Sequence, residues 1–125
     1  MSTWNTKDLA AIDAVEEIGL ASRRQDGTLR PFVVMWMVAV DGELYVRSAY
    51  GADNPWYRRA VASGEGRIRA GGVEADVTFE TAAPDAAAAI DARYHQKYDH
   101  YGQKIVGTVV GEHRYDVTLR LVPVA

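Results

Sequence analysis

Cysteine is absent from the 125 residues, which excludes disulfide bonds, a thiolate nucleophile and any Cys-ligated metal site, and makes a reducing compartment the natural home. Histidine is scarce as well. His95, His100 and His113 share no close ligand spacing, so the sequence offers no metal site. No apolar run approaches the roughly 18 residues that a membrane span requires. The opening MSTWNTKDLAAIDA lacks the basic stretch and apolar core of a secretory signal, so the expected location is the cytoplasm, with no membrane partner. Internal repeats are missing, and the one low-complexity tract is the alanine run Ala86–Ala89.

Net positive charge is also lacking. At −3, with a pI near 5.5, the chain is a poor general nucleic-acid binder. The charge is unevenly spread, however: residues 23–69 carry eight arginines against five carboxylates, a net +3, which leaves −6 for the rest. A basic region inside an acidic protein suits a small anionic ligand better than a polyanion. With 48% hydrophobic and 25% charged residues the composition is that of a folded chain, and the length suits one domain, residues 1–125, with a small core.

The most informative stretch is Leu44–Gly64, LYVRSAYGADNPWYRRAVASG. Leu44, Val46 and Ser48 alternate with Tyr45 and Arg47, as in a strand with two different faces. Gly51 permits a turn, Asn54 is a good helix cap, Pro55 suits the first helical position, and Gly64 closes a helix over roughly Pro55–Ser63. A hydroxyl at a strand end, a glycine turn, exposed N–H groups at a helix start and Arg58 and Arg59 one turn in together suit a phosphate or another anion. The same residues also fit an ordinary strand–helix corner in which Ser48 closes the turn and the arginines face water. Both readings stay open on these residues.

Around this stretch the pattern predicts a first helix capped by Thr6 and running to Ile18–Gly19, and a short strand Leu20–Arg24 ending at an Asp26–Gly27 turn. Phe32–Val40, apolar at every position, predicts a strand buried on both faces, with Trp36 on one and Met35 and Met37 on the other. Gly66–Ala70 and Val73–Glu80 flank Gly71–Gly72 as a hairpin, in which Arg67 and Arg69 either pair with Glu74, Asp76 or Glu80 or face a ligand. A third helix opens at Pro84 and puts Ala87, Ile90, Tyr94 and Tyr98 on one stripe, with Tyr101 beyond. The stripe covers a core or caps a barrel mouth. Gly102–Gly111 reads as a flexible connector and Tyr115–Val122 as a final strand. Hairpin-linked strands with few strand–helix–strand units predict a mainly antiparallel protein with attached helices, a six-stranded split β-barrel flanked by three helices.

The first helix, the DGTLRPFVVMWMVAVDGELYVRSA hairpin and the turn into Pro-Trp-Tyr resemble the split β-barrel flavoproteins. These comprise the pyridoxamine-phosphate-oxidase-like proteins and the deazaflavin-dependent, nitroreductase-like group, and the sequence is similar to an uncharacterised bacterial family of that clan along nearly its whole length. SAYGADNPWYRRA matches the cofactor-carrying turn at Ser48, Gly51, Asn54, Pro55, Trp56 and Tyr57. Many nitroreductase-like members carry a lysine in the turn, where this chain has Tyr50, Ala52 and Asp53, and Asp53 would repel an anion. The resemblance implies an oxidoreductase that binds FMN or a deazaflavin in a groove at a homodimer interface and acts on a small organic substrate. Ser48, Arg47, Arg58 and Arg59 would hold a phosphate, and Trp36 with the Ala49–Gly51 loop would face the ring. No catalytic side chain is assigned; Tyr94, Tyr98 or Tyr101 could donate to a substrate. A binding module without redox turnover, or a purely structural dimeric one, would keep the same barrel.

Overall fold

The computed structural model describes residues 3–124. Its strands are β1 (Glu17–Ser22), β2 (Val33–Trp36), β3 (Val38–Val40), β4 (Glu43–Arg47), β5 (Glu65–Ala70), β6 (Val73–Thr81) and β7 (Thr118–Pro123), and its helices are α1 (Thr6–Asp13), α2 (Pro55–Ser63), α3 (Ala87–Tyr98) and the short α4 (Gln103–Val106). The strands form one sheet in the order β2-β1-β5-β6-β7-β4-β3, antiparallel at every pairing. Because β2 and β3 end the sheet yet follow one another in the chain, the sheet rolls into a nearly closed barrel.

Seven strands stand where six are expected because the apolar run breaks at Met37. The Tyr98 hydroxyl accepts from the Met37 N–H at 3.2 Å and donates its one proton to the carbonyl of Met37 at 2.8 Å or of Glu16 at 2.7 Å. The backbone at the break is thus satisfied by α3 rather than by a strand partner. The run is not buried throughout either: Val33 and Val34 are 37% and 63% exposed. Its faces divide as expected, with Met35 and Met37 on the barrel core and Trp36 on the other side.

Ile18, Leu20, Leu44, Val46, Ile68, Val77, Phe79, Leu119 and Leu121 fill the barrel, and Ile12 of α1 and Trp56 and Ala60 of α2 close it. A second core lies under α3, where Ile90, Tyr94 and Tyr98 cover Val38 and Tyr45. The stripe Ala87, Ile90, Tyr94, Tyr98 is wholly buried, as its spacing predicts. The Asp41–Gly42 and Gly71–Gly72 turns take positive φ at both residues, the condition for tight two-residue hairpins.

Several helix and strand boundaries differ from the sequence reading, among them β1, which ends at Ser22 rather than Arg24, and α3, which starts at Ala87 behind a 3-10 turn over Pro84–Ala86. Asn5, not Thr6, caps α1 by accepting from the Asp8 N–H at 2.7 Å. That helix stops at Asp13, since Ile18 and Gly19 pair with Met35 and Val34 as part of β1. The connector after Gly102 contains α4, so four helices replace three, and Tyr115–Val117 belong to a 3-10 turn ahead of β7.

Candidate functional site

The Ser48–Asn54 turn is built from its own backbone. Ser48 N–H donates to Val117 O (3.1 Å), Gly51 N–H to Ser48 O (3.2 Å) and Asn54 N–H to Gly51 O (3.3 Å), while Gly51 turns the chain at φ +87°. Ser48 is fully buried and its hydroxyl donates to Gly51 O at 2.6 Å. Arg114 clamps the turn from outside, donating to Ala49 O at 2.6 Å and Thr108 O at 2.7 Å.

Helix α2 then spans the expected residues, with Pro55 first and Gly64 last at φ +72°. Asn54 stands at the cap position, but its side chain makes no capping bond. The first-turn N–H groups of Trp56 and Tyr57 are therefore left for solvent or a ligand. Trp56 and Ala60 point into the barrel core, Tyr57 donates from its hydroxyl to Asp116 O at 3.1 Å, and Arg58 and Arg59 are exposed.

Opposite α2 stands the loop after β1. The two approach because β1 pairs antiparallel with β5, which follows α2 directly, and Arg23 N–H donates to Glu65 O at 3.1 Å. The loop is held internally: Asp26 accepts from the Thr28 hydroxyl at 2.6 Å and its N–H at 2.9 Å, bonds that lower the Asp26 pKa. Arg24 donates to Leu29 O at 2.9 Å. Arg23 donates to Gly27 O at 2.8 Å and to Asp76 at 3.0 Å. Asp76 also takes Arg67 at 2.9 Å, the cross-strand partner in register, and that bond first, then the nearby charges, lowers its pKa.

Between these walls lies a groove of about 1220 Å³, lined by Arg23, Arg24 and Arg30 on one side and Arg58 and Arg59 on the other. Among the described residues Glu65 is the one carboxylate in its lining. Among the described residues, the side chains of Arg30, Arg58 and Arg59 have no hydrogen-bond or ion-pair partner. Five guanidiniums facing one carboxylate can take a phosphate or carboxylate bidentately, and Pro55, Tyr57 and Val61 add apolar surface for the body of a ligand.

Of the residues singled out from sequence, Arg58 and Arg59 line this groove, and Gly51, Asn54 and Trp56 shape the turn and helix beside it. Arg47 and Ser48 do not line it. Arg47 is buried on the α3 side, where it pairs with Asp91 and donates to Thr118 Oγ1 (2.8 Å), Val109 O (2.9 Å) and Ala87 O (3.3 Å), with the rings of Tyr94 and Tyr115 over its guanidinium. Trp36 lies on that side too, stacked on Tyr98 at 4.1 Å between centroids. Arg23, Arg24 and Arg30 of the groove, and Arg114 behind the turn, are not among the residues singled out from sequence. The basic excess of residues 23–69 was the available signal for the first three, whereas nothing local marks Arg114.

Solved structures that share this fold include three named for a cofactor or a reductase activity. The haem-storage protein HutZ from Vibrio cholerae superposes with a TM-score of 0.65 at 13% identity, covering 95% of this chain and 87% of that one. An F420-H2-dependent reductase gives 0.62 at 14%, covering 86% and 93%. An FAD-binding protein from Mesorhizobium loti gives 0.56 at 16%, covering 98% and 92%. At these identities the likeness establishes the pyridoxamine-phosphate-oxidase-like split barrel and nothing finer. No curated protein matches the sequence. Among the described residues no helix is long and apolar enough to cross a membrane. Residues 8–121 match one family over nearly the whole chain, and the protein belongs to it: the uncharacterised proteins conserved in bacteria designated DUF2255.

Proposed function

We propose that this protein is a flavin- or deazaflavin-dependent oxidoreductase acting on a small organic substrate, a cytoplasmic homodimer that holds its cofactor in the groove between α2 and the loop after β1. The observation that carries the reading is the groove itself, with Arg30, Arg58 and Arg59 unpartnered among the described residues in a chain of net charge −3. An anionic cofactor tail would bind Arg58 and Arg59 beside the uncapped start of α2. Arg47, Ser48 and Trp56 would serve from behind, fixing the strand end, the turn and the seat of the helix. Neighbours with this fold are named as a reductase of F420-H2, an FAD-binding protein and a haem-storage protein, so the barrel accommodates redox cofactors.

A flavin-type ring, when bound, supplies hydride transfer, and the side chains are left with binding, orientation and charge. That division fits a groove without a carboxylate pair or histidine to act as acid and base. The apolar, exposed Val33 and Val34 on the outermost strand of the sheet support the dimer.

The test is titration of purified protein with FMN and with a deazaflavin, followed by the cofactor's own fluorescence. Quenching with a Kd of about 1 μM or tighter, weakened at least tenfold in the Arg58→Gln/Arg59→Gln variant, is the expected result. Indifference to both cofactors removes the proposal. Tight binding with no reduction of the ring by any supplied reductant would leave a binding module instead.

A further inference from the structure

We infer that the groove is built for a ligand with two separated anionic groups, one received by Arg58 and Arg59 on α2 and the other by Arg30 with Arg24 on the loop after β1. The inference rests on the reading of the groove as a cofactor site and adds a second subsite to it.

The two walls differ in construction. Arg58 and Arg59 are both exposed on α2 and both line the groove. Arg30 is only half-exposed, its backbone fixed by the bond from its N–H to Ser22 O at 2.9 Å, and its guanidinium meets no acceptor among the described residues. The Arg30 donors are therefore uncommitted among the described residues and available to an anion in the groove. Arg24 stands beside it and contributes what its bonds to Thr28 and Leu29 leave: those bonds use only Nη1, so Nε and Nη2 remain as donors. Arg23 is already engaged by Gly27 O and Asp76 and counts for less.

One phosphate has three strong acceptor oxygens and accommodates two guanidiniums in bidentate geometry. It would satisfy Arg58 and Arg59 and leave the opposite wall unmatched. A volume of about 1220 Å³ also exceeds what a single phosphate fills and lies in the range of a drug-sized ligand or larger. Both observations select a two-headed anion: a bisphosphate, a diphosphate or a phosphate joined to a carboxylate.

The experiment measures binding of orthophosphate and of 1,6-hexanediol bisphosphate to the full chain by calorimetry at low and moderate salt. The bisphosphate should bind at least tenfold tighter. Arg24→Gln/Arg30→Gln should cost the bisphosphate at least tenfold while changing orthophosphate less than threefold, and Arg58→Gln/Arg59→Gln should weaken both. Urea midpoints of the variants show whether each is folded, and Arg30→Lys, which keeps the charge and loses the fork, should recover part of the bisphosphate affinity. Equal affinity for the two anions, or equal losses for both in Arg24→Gln/Arg30→Gln, would overturn the inference. So would tighter binding of an oligothymidylate than of the bisphosphate, which would make the groove a nucleic-acid track. The cofactor reading fails separately: bisphosphate selectivity without any FMN or deazaflavin binding keeps the two subsites and loses the flavin. Flavin binding without selectivity does the reverse.

Discussion

Arginine is used in two opposite ways on the two sides of this barrel. On the α3 side Arg47 is sealed in, with Asp91, Thr118, Val109 and Ala87 taking its donors. On the α2 side Arg58 and Arg59 stand in the open with no partner among the described residues. The first arrangement consumes the binding capacity of the guanidinium in holding β4, β7 and α3 together. The second leaves that capacity available. A charged residue type therefore says little about function until its donors are accounted for, and it is the incomplete set that points to a ligand.

The largest expected effect separates the two roles directly. Arg47→Ala takes from Asp91 its cationic partner, leaving it the Tyr115 hydroxyl and the Gly111 N–H, and strands three acceptors. It should lower unfolding free energy by about 3 kcal/mol. Arg58→Gln/Arg59→Gln should change it by less than about 0.5 kcal/mol. Urea denaturation of the two variants checks the pair, and equal losses would erase the distinction.

A smaller contrast lies within the tyrosine stripe. Tyr98→Phe removes the bonds to Met37 and the link to Glu16 that hold the β2–β3 break, and should cost about 1–3 kcal/mol. Among the described residues the buried Tyr94 hydroxyl has no hydrogen-bond partner, so Tyr94→Phe should be neutral or slightly stabilising, within about 0.5 kcal/mol. The denaturation midpoints of the two variants decide it.

Alkaline pH sharpens the same point. Burial, before any neighbouring charge, raises the pKa of Tyr94 and Tyr98 well above the ordinary tyrosine value. Below about pH 10 both states keep the proton and there is no penalty. Above it the unfolded chain releases protons that the folded chain retains, so stability should fall as pH rises until the buried hydroxyls themselves ionise. Urea midpoints between about pH 9 and 11 should decline less steeply in Tyr94→Phe/Tyr98→Phe than in the wild type.

The smallest effect is that of salt. Raising ionic strength from about 0.05 to 0.5 M should weaken anion binding in the exposed groove severalfold, while the buried Arg47–Asp91 pair keeps stability nearly constant. Calorimetry and denaturation at the two salt levels test both halves.

Local chemistry carried much of the fold. Pro55 and Gly64 bound α2 where the sequence placed it, and Gly71–Gly72 and Asp41–Gly42 made their hairpins, because these residues act on their own backbone. The spacing of Ala87, Ile90, Tyr94 and Tyr98 declared a buried helical face before anything was known to lie under it. The candidate groove was less legible. Arg58 and Arg59 are marked as a basic pair on α2 by the local sequence, but Arg24 and Arg30 line the same groove only through the β1–β5 pairing, and Arg114 reaches Ala49 across 65 positions of chain. The break at Met37 was likewise hidden, since it depends on a hydroxyl 61 residues away.

By itself, then, the sequence determined what each segment can be: φ preferences, caps and the periodicity of apolar residues are properties of neighbours a few positions apart. Only the tertiary structure decided what each polar group was for. Whether a guanidinium is consumed or left free depends on acceptors that long-range strand pairing brings to it or withholds, and no local pattern encodes that. Arg47 and Arg58 are eleven residues apart in one basic stretch, and the closed barrel puts them in opposite roles.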